Sequence, residues 1–156
     1  MSEIVYREGV EEDVLQILGV IKAAFAEYEG RLEPPSSAER KTVAIVREEL
    51  QRATAVVAQH GQTIIGSVFY RLQGDAVYLD RLAVLPAWRG QGVGRRLVEI
   101  VEGKTAELGL KSVTLSVRIA LTENQVYYRK LGYGFVAYGT HAGYAEPTYM
   151  VLAKQL

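Results

Sequence analysis

The chain has 156 residues, 49% hydrophobic and 23% charged, the size and balance of one globular domain with a core of its own. Eighteen basic side chains offset eighteen acidic ones, so no global positive field points to nucleic acid. There is no cysteine and there are only two histidines, His60 and His141, which excludes disulfides, a mechanism through an acyl-cysteine and a multi-histidine metal site.

The opening MSEIVYREG is short and charged, with no apolar signal region, and no apolar run nears the roughly 20 residues of a membrane span. The expectation is a cytoplasmic protein with no membrane partner. Ile4 to Arg7 reads as a strand. From Val10 to Glu29, Val14, Ile17, Leu18, Ile21, Phe25 and Tyr28 recur in steps of three and four, which is one helical face. Two prolines in GRLEPPSSAER break it. Ser36 or Ser37 is expected to cap a second helix running to about Gln51.

The middle is strand-rich. ATAVVAQ, TIIGSVFYRL and AVYLDRLAVL are separated by HGQ and QGD turns and read as an antiparallel meander closed by Pro86. His60 is then a turn residue. A helix follows with Val93, Leu97, Ile100, Val101 and Leu108 inward and Gly109 at its C-cap. SVTLSV is a strand flanked by helices, which suits parallel placement. TENQVYYRKLGY is a short helix, with Tyr127 packing against Leu131, and GFVAYG and TYMVLAK close the chain as strands. The order β-α-α-β-β-β-α-β-α-β-β predicts an α/β (α+β) mixed sheet of about seven strands with four helices on its faces, in one domain over residues 1–156.

From the end of the fourth of these strands toward the fifth, Leu82–Lys104 reads LAVLPAWRGQGVGRRLVEIVEGK, with Gly90, Gly92 and Gly94 followed at once by Arg95 and Arg96. A helix start offers unpaired N–H groups and partial positive charge, and glycines let an anion come close. Two arginines oppose that dipole at a cost of a few tenths of a kcal/mol or so each, and become sensible beside a polyanion. A pyrophosphate site is the physical reading. A Walker loop is rejected because Gly94 is followed by Arg95 rather than Lys and a hydroxyl residue; a dinucleotide fingerprint is rejected because the sixth position from Gly90 is Arg95 and from Gly92 is Leu97.

RGQGVG, Arg89 to Gly94, fits R-x-x-G-x-G, and LAVLPAWRGQGVGRRL resembles the acetyl-CoA signature of the GNAT superfamily of N-acetyltransferases. YREGVEEDVLQI is similar to that family's first strand and helix. VYYRKLGYGFV is similar to its last helix, with Tyr128 four residues before the pair Gly132–Tyr133. The element order agrees over essentially the whole chain.

The resemblance implies that acetyl-CoA lies where two parallel strands, Val77–Leu85 and Ser112–Val117, splay apart. Leu82, Ala83 and Val84 would line the pantetheine, and an amide near Leu82 or Ala83 would polarise the thioester carbonyl. Amides of Gln91, Gly92, Val93, Gly94 and Arg95, with Arg89 and Gly90 in the same loop, would hold the pyrophosphate. The acetyl group would pass directly to a primary amine of a small molecule, a peptide N-terminus or a lysine. Tyr128 is the expected acid for the departing thiolate. Asn124, one turn earlier on the same face, would bond the pantetheine; the commoner family position for an Asn, seven residues before the Tyr, is Leu121 here.

Asp80 is the candidate base, because strand alternation would give it the face of Leu82 and Val84; its plainer reading is a strand carboxylate paired with Arg71 or Arg81. Glu27, Tyr28 and the loop residue His141 are expected to line the acceptor pocket. No metal is expected. Many members of the family pair through the last strands, so a homodimer is a further expectation. The competing reading is a module of the same fold that binds acyl-CoA without transfer.

Overall fold

The computed structural model describes residues 3–156. Strands β1 (Ile4–Glu8), β2 (Thr54–His60), β3 (Thr63–Gln73), β4 (Ala76–Val84), β5 (Ser112–Arg118), β6 (Gly134–Gly139) and β7 (Tyr149–Gln155) form one sheet in the order β1-β2-β3-β4-β5-β7-β6. All neighbours are antiparallel except β4 and β5. Helices α1 (Val14–Phe25), α2 (Val43–Arg52), α3 (Val93–Glu107) and α4 (Thr122–Lys130) complete the predicted order. No helix among the described residues is long and apolar enough to cross a membrane.

The sheet has a core on each face. Val14, Ile17 and Ile21 of α1 and Val46 of α2 pack on Ala55, Val57, Ile64, Phe69 and Ala83. On the other face Val93, Leu97, Val98 and Val101 of α3 pack on Val56, Ile65, Val68, Val77, Leu79 and Leu115. Gly66 of β3 lies beneath the first turn of α3; a Cβ there would meet Val93 at 3.0 Å and Leu97 at 3.3 Å, so the missing side chain lets helix and sheet close.

Three local expectations are corrected. Ser36 does accept the amide of Ala38, but it caps a separate 3-10 turn, Ser37–Arg40; α2 begins at Val43, where the Thr42 hydroxyl accepts from Ile45. Leu108 is 56% exposed rather than inward, because α3 ends there and Gly109 turns the chain with φ +75°. Tyr127 does not face the core as packing against Leu131 would have it. Its ring lies half-exposed, edge-on to Tyr128, with its hydroxyl directed at Gly94.

Candidate active site

Strands β4 and β5 touch over only two register pairs, Val77 with Val113 and Tyr78 with Thr114. Beyond these, β4 stays bound to β3 and β5 to β7, so the facing edges separate. The cleft that opens there measures about 1270 Å³. The ends of α1 and β4, the start of α3, β5, α4 and the loop before β7 all border it. A strand edge with open N–H and C=O groups, as β4 has from Leu79 to Val84, is a template for an extended amide-bearing ligand.

At one end of the cleft stands the start of α3. Gly92 occupies the N-cap with φ +83°, a conformation glycine adopts without steric cost, and supplies no side chain to cap the helix. The first helical bond runs from the Arg96 N–H to the Gly92 carbonyl at 3.0 Å. The amides of Val93, Gly94 and Arg95 therefore have no acceptor within the helix, an arrangement that suits an anion. Gly94 makes a different contact: a Cβ on it would lie 2.7 Å from the Tyr127 hydroxyl, the mobile end of a half-exposed side chain.

The flanking arginines have protein partners. Arg95 and Arg96 both reach Glu99, at 3.6 and 3.9 Å, and Arg96 lies over the Tyr6 ring. That acid, one turn on, offsets part of their unfavourable place at a helix start. Arg89 ties the loop to the end of α1 by an ion pair with Glu27 at 2.9 Å and a bond to the Ala24 carbonyl at 2.9 Å. Gln91 turns out of the cleft and donates to the Ala87 carbonyl, unlike its neighbours Gly90 and Gly92.

A bulge interrupts β4. Ser67 pairs with Ala83 but Phe69 with Asp80, so Arg81 and Leu82 together oppose Val68, and Arg81 has φ +55°. The extra residue reverses alternation: Val77 and Leu79 face α3 before it, Leu82 and Val84 after it. Asp80 thus does not share a face with Leu82 and Val84, as simple alternation required. It keeps company with Tyr78 on the α1 side, still bordering the cleft, with Arg71 Nη1 at 4.0 Å.

Tyr128 of α4 stands on the cleft, its ring edge-on to Tyr127 at 5.3 Å and Tyr133 at 6.0 Å. Burial above all, then neighbouring Tyr127 and the Asp80 carboxylate, push its phenol well above the ordinary value, so it stays protonated. Asn124, one turn earlier, borders the same space and accepts a long 3.5 Å bond from the Tyr28 hydroxyl. Leu121, where an Asn was the commoner pattern, is buried with Tyr28 and Leu32 in a small apolar cluster, which explains its side chain.

Glu27, Tyr28 and His141 also border the cleft, Glu27 beside the α3 loop through its pair with Arg89. Burial raises the Tyr28 pKa. His141 shares a hydrogen bond with the Thr148 hydroxyl; burial and then the charge of Arg118 lower its pKa. His60 ends β2 and packs at a tilt on Trp88 at 4.7 Å; Trp88 borders the cleft and His60 does not. Among the described residues no cluster of His, Cys, Asp or Glu could hold a metal.

Sequence reasoning did not assign Tyr78, Tyr127, Arg81 and Arg118 to the site, and all four border the cleft. Ten tyrosines hid the first two, and no residue pattern marks a bulge that throws an arginine to positive φ.

A strand pair splayed around a cleft, with an uncapped helix start at one end, is the frame of an enzyme that handles coenzyme A thioesters. The chain matches the acetyltransferase (GNAT) family over residues 20–133, and it belongs to that family. It is an acetyltransferase and takes its acetyl group from acetyl-CoA. An S-alkylcysteine N-acetyltransferase of Bacillus subtilis is 24% identical over 143 residues, covering 85% of this chain and 80% of the relative. Among solved structures, the PaiA N-acetyltransferase of Thermoplasma acidophilum in complex with coenzyme A superposes with a TM-score of 0.83 at 18% identity, covering 99% of both chains. The ribosomal-protein-S18-alanine N-acetyltransferase of Escherichia coli gives 0.76 at 16%, covering 98% of this chain and 94% of that one.

Proposed function

We propose that the enzyme transfers the acetyl group directly from acetyl-CoA to a primary amine, with no covalent enzyme intermediate. The carrying observation is that one cleft holds the open edge of β4, the uncapped amides of Val93–Arg95 and the protonated phenol of Tyr128. The α3 amides hold the pyrophosphate, with Gly90 and Gly92 shaping the loop. The β4 edge from Leu82 to Val84 aligns the pantetheine. A main-chain N–H released by the bulge near Leu82 receives the oxyanion of the tetrahedral intermediate.

The attacking amine must first be neutral, since an ammonium with a pKa of about 10 has no free lone pair. Asp80 takes that proton directly or through water, on the support of its place on the cleft and its field at Tyr128. Tyr128 donates to the sulfur as the C–S bond breaks; the burial that raises its pKa also raises that of the leaving thiolate. Asn124 hydrogen-bonds the pantetheine, and Glu27, Tyr28 and His141 border the acceptor. Arg89 acts through its hold on Glu27 rather than as a free counter-charge.

The test is free-thiol release from acetyl-CoA with a panel of small amines, peptides and lysine derivatives. The chain has no cysteine, so the background is low. Amine-dependent release with acetylated product supports direct transfer. Binding of acetyl-CoA with no release for any amine would leave a binding module.

Pairing of two copies through the last strands is part of the same reading. Its support is the edge strand β6, where Phe135, Val136 and Tyr138 are 56, 56 and 61% exposed. Sedimentation should give a dimer that Tyr138→Lys with Phe135→Lys dissociates.

A further inference from the structure

Positive charge exceeds negative along the cleft, and the excess is local. Its three carboxylates are each held by an arginine: Glu27 by Arg89 at 2.9 Å, Asp80 by Arg71 at 4.0 Å and Glu123 by Arg31 at 3.8 Å. Arg81 and Arg118 border the same space, and among the described residues neither has a carboxylate within ion-pair distance.

Their placement is built. Arg118, at the end of β5, donates to the carbonyls of Pro34 at 2.7 Å and Pro35 at 3.2 Å, which fixes its guanidinium but neutralises nothing. Arg81 is aimed by the bulge, and its Nε is buried with no hydrogen-bond partner. A buried donor without an acceptor is costly, more so on a charged group. Counted on from the Tyr78–Thr114 pair, Arg81 and Arg118 come three and four residues further along the two strands, where these have parted. Burial and then the Arg81 charge lower the Arg118 pKa, which is the mark of two like charges sharing one space.

We infer that Arg81 and Arg118 form a carboxylate-binding subsite, and that the acceptor is an amine carrying a carboxylate, as a free amino acid does. The inference rests on the transferase reading above and names the acceptor class for that site. An anion between the two guanidinia relieves their repulsion and accepts from the N–H groups they turn to the cleft. Arg118 has already spent two N–H groups on Pro34 and Pro35, so the pair suits the two oxygens of a carboxylate better than the larger shell of a phosphate. Phe25, Tyr28, Leu32 and Leu121 form an apolar wall on the same cleft, which fits an apolar side chain on the acceptor.

The test compares L-leucine, L-methionine and L-phenylalanine with their carboxamides as acceptors, by thiol release at saturating acetyl-CoA. The acids should exceed the amides at least tenfold in kcat/KM, mainly through KM. In Arg81→Gln and Arg118→Gln that ratio should collapse toward one. The ratio is the readout, so damage to the Pro34–Pro35 loop that slows both sets alike leaves it unmoved. Equal use of acids and amides by the natural enzyme overturns the inference, as does an unchanged ratio in both variants. Transfer to other amines but to none of the amino acids overturns it too, and leaves the transferase reading standing. No thiol release with any amine overturns the transferase reading itself.

Discussion

The hydroxyl of Tyr127 stands 2.7 Å from the point where a side chain on Gly94 would begin. Helix α4 thus reaches across the cleft to the loop at the start of α3, and the third glycine of the loop is a matter of room. The second is a matter of dihedral angle, since Gly92 has φ +83° and nothing within 4 Å of its absent Cβ. Gly92→Ala should therefore cost about 1–2 kcal/mol of stability through left-handed strain. Gly94→Ala should cost less, because the half-exposed Tyr127 ring can swing aside, yet it sets a methyl group among the anion-binding amides. Calorimetry with coenzyme A should show Gly94→Ala weakened at least tenfold while its urea midpoint stays near that of the natural chain; equal affinity would remove the loop assignment.

Tyr128→Phe keeps the ring that packs on Tyr127 and Tyr133 and removes only the donor. A positioned acid contributes on the order of 10²-fold or more. The expected result is kcat down by that factor, with acetyl-CoA affinity within about threefold. An unchanged kcat, measured with any amine that supports thiol release, would show that another group protonates the sulfur.

The parts of this arrangement that follow from periodicity and turn chemistry are legible in the sequence. Steps of three and four mark α1 and α3, and RGQGVG marks the uncapped start of α3. Asp80 shows where such reading stops. Strand alternation is a rule of period two, and a single bulge at Arg81–Leu82 inverts it without any glycine or proline to announce the change. The start of α2 shows a second limit. Ser36 and Thr42 are both good caps, and the five residues between them hold one 3-10 turn; only packing of Ala38 and Val46 against α1 decides which serves the long helix. Arg118 is legible as a strand end, but its partners Pro34 and Pro35 lie more than eighty residues away in sequence.

Asp13 predicts a pH dependence. Its carboxylate takes both Nη groups of Arg7, at 2.7 and 2.9 Å, and the Val10 amide at 2.8 Å. The hydrogen bonds from Arg7 foremost, helped by the Val10 amide and against the opposing effect of burial, hold its pKa below the ordinary carboxylate value. The depressed folded pKa means that this stabilisation is complete above the unfolded value of about 3.9 and fades as pH falls through the lower folded one. Asp13→Asn should lose about 2 kcal/mol at pH 7, in the range for charge-assisted bonds of which one partner is half-exposed. The gap between variant and natural chain should narrow below pH 4 in urea melts; a gap independent of pH would mean the cost is steric.

Tyr133 supports the cleft from behind. Its ring is buried, its hydroxyl donates to Glu102 of α3 at 2.8 Å, and Lys154 of β7 holds the same carboxylate at 3.2 Å. Burial first, then the Glu102 acceptor, raise its pKa, so the phenol remains a donor wherever the fold is stable. The residue thereby joins the end of α4 to α3 and β7, and its ring backs Tyr128 at 6.0 Å. Tyr133→Phe should cost about 1–2 kcal/mol, less than a lost charged bond in full, because Lys154 still satisfies Glu102. Since the ring is kept, kcat should stay within about twofold. Tyr133→Leu removes the ring as well, and should lower kcat together with stability by letting Tyr128 shift. If Tyr133→Leu lost stability and kept full kcat, Tyr128 would need no support from behind, and the packing of α4 against Tyr133 would serve the fold alone.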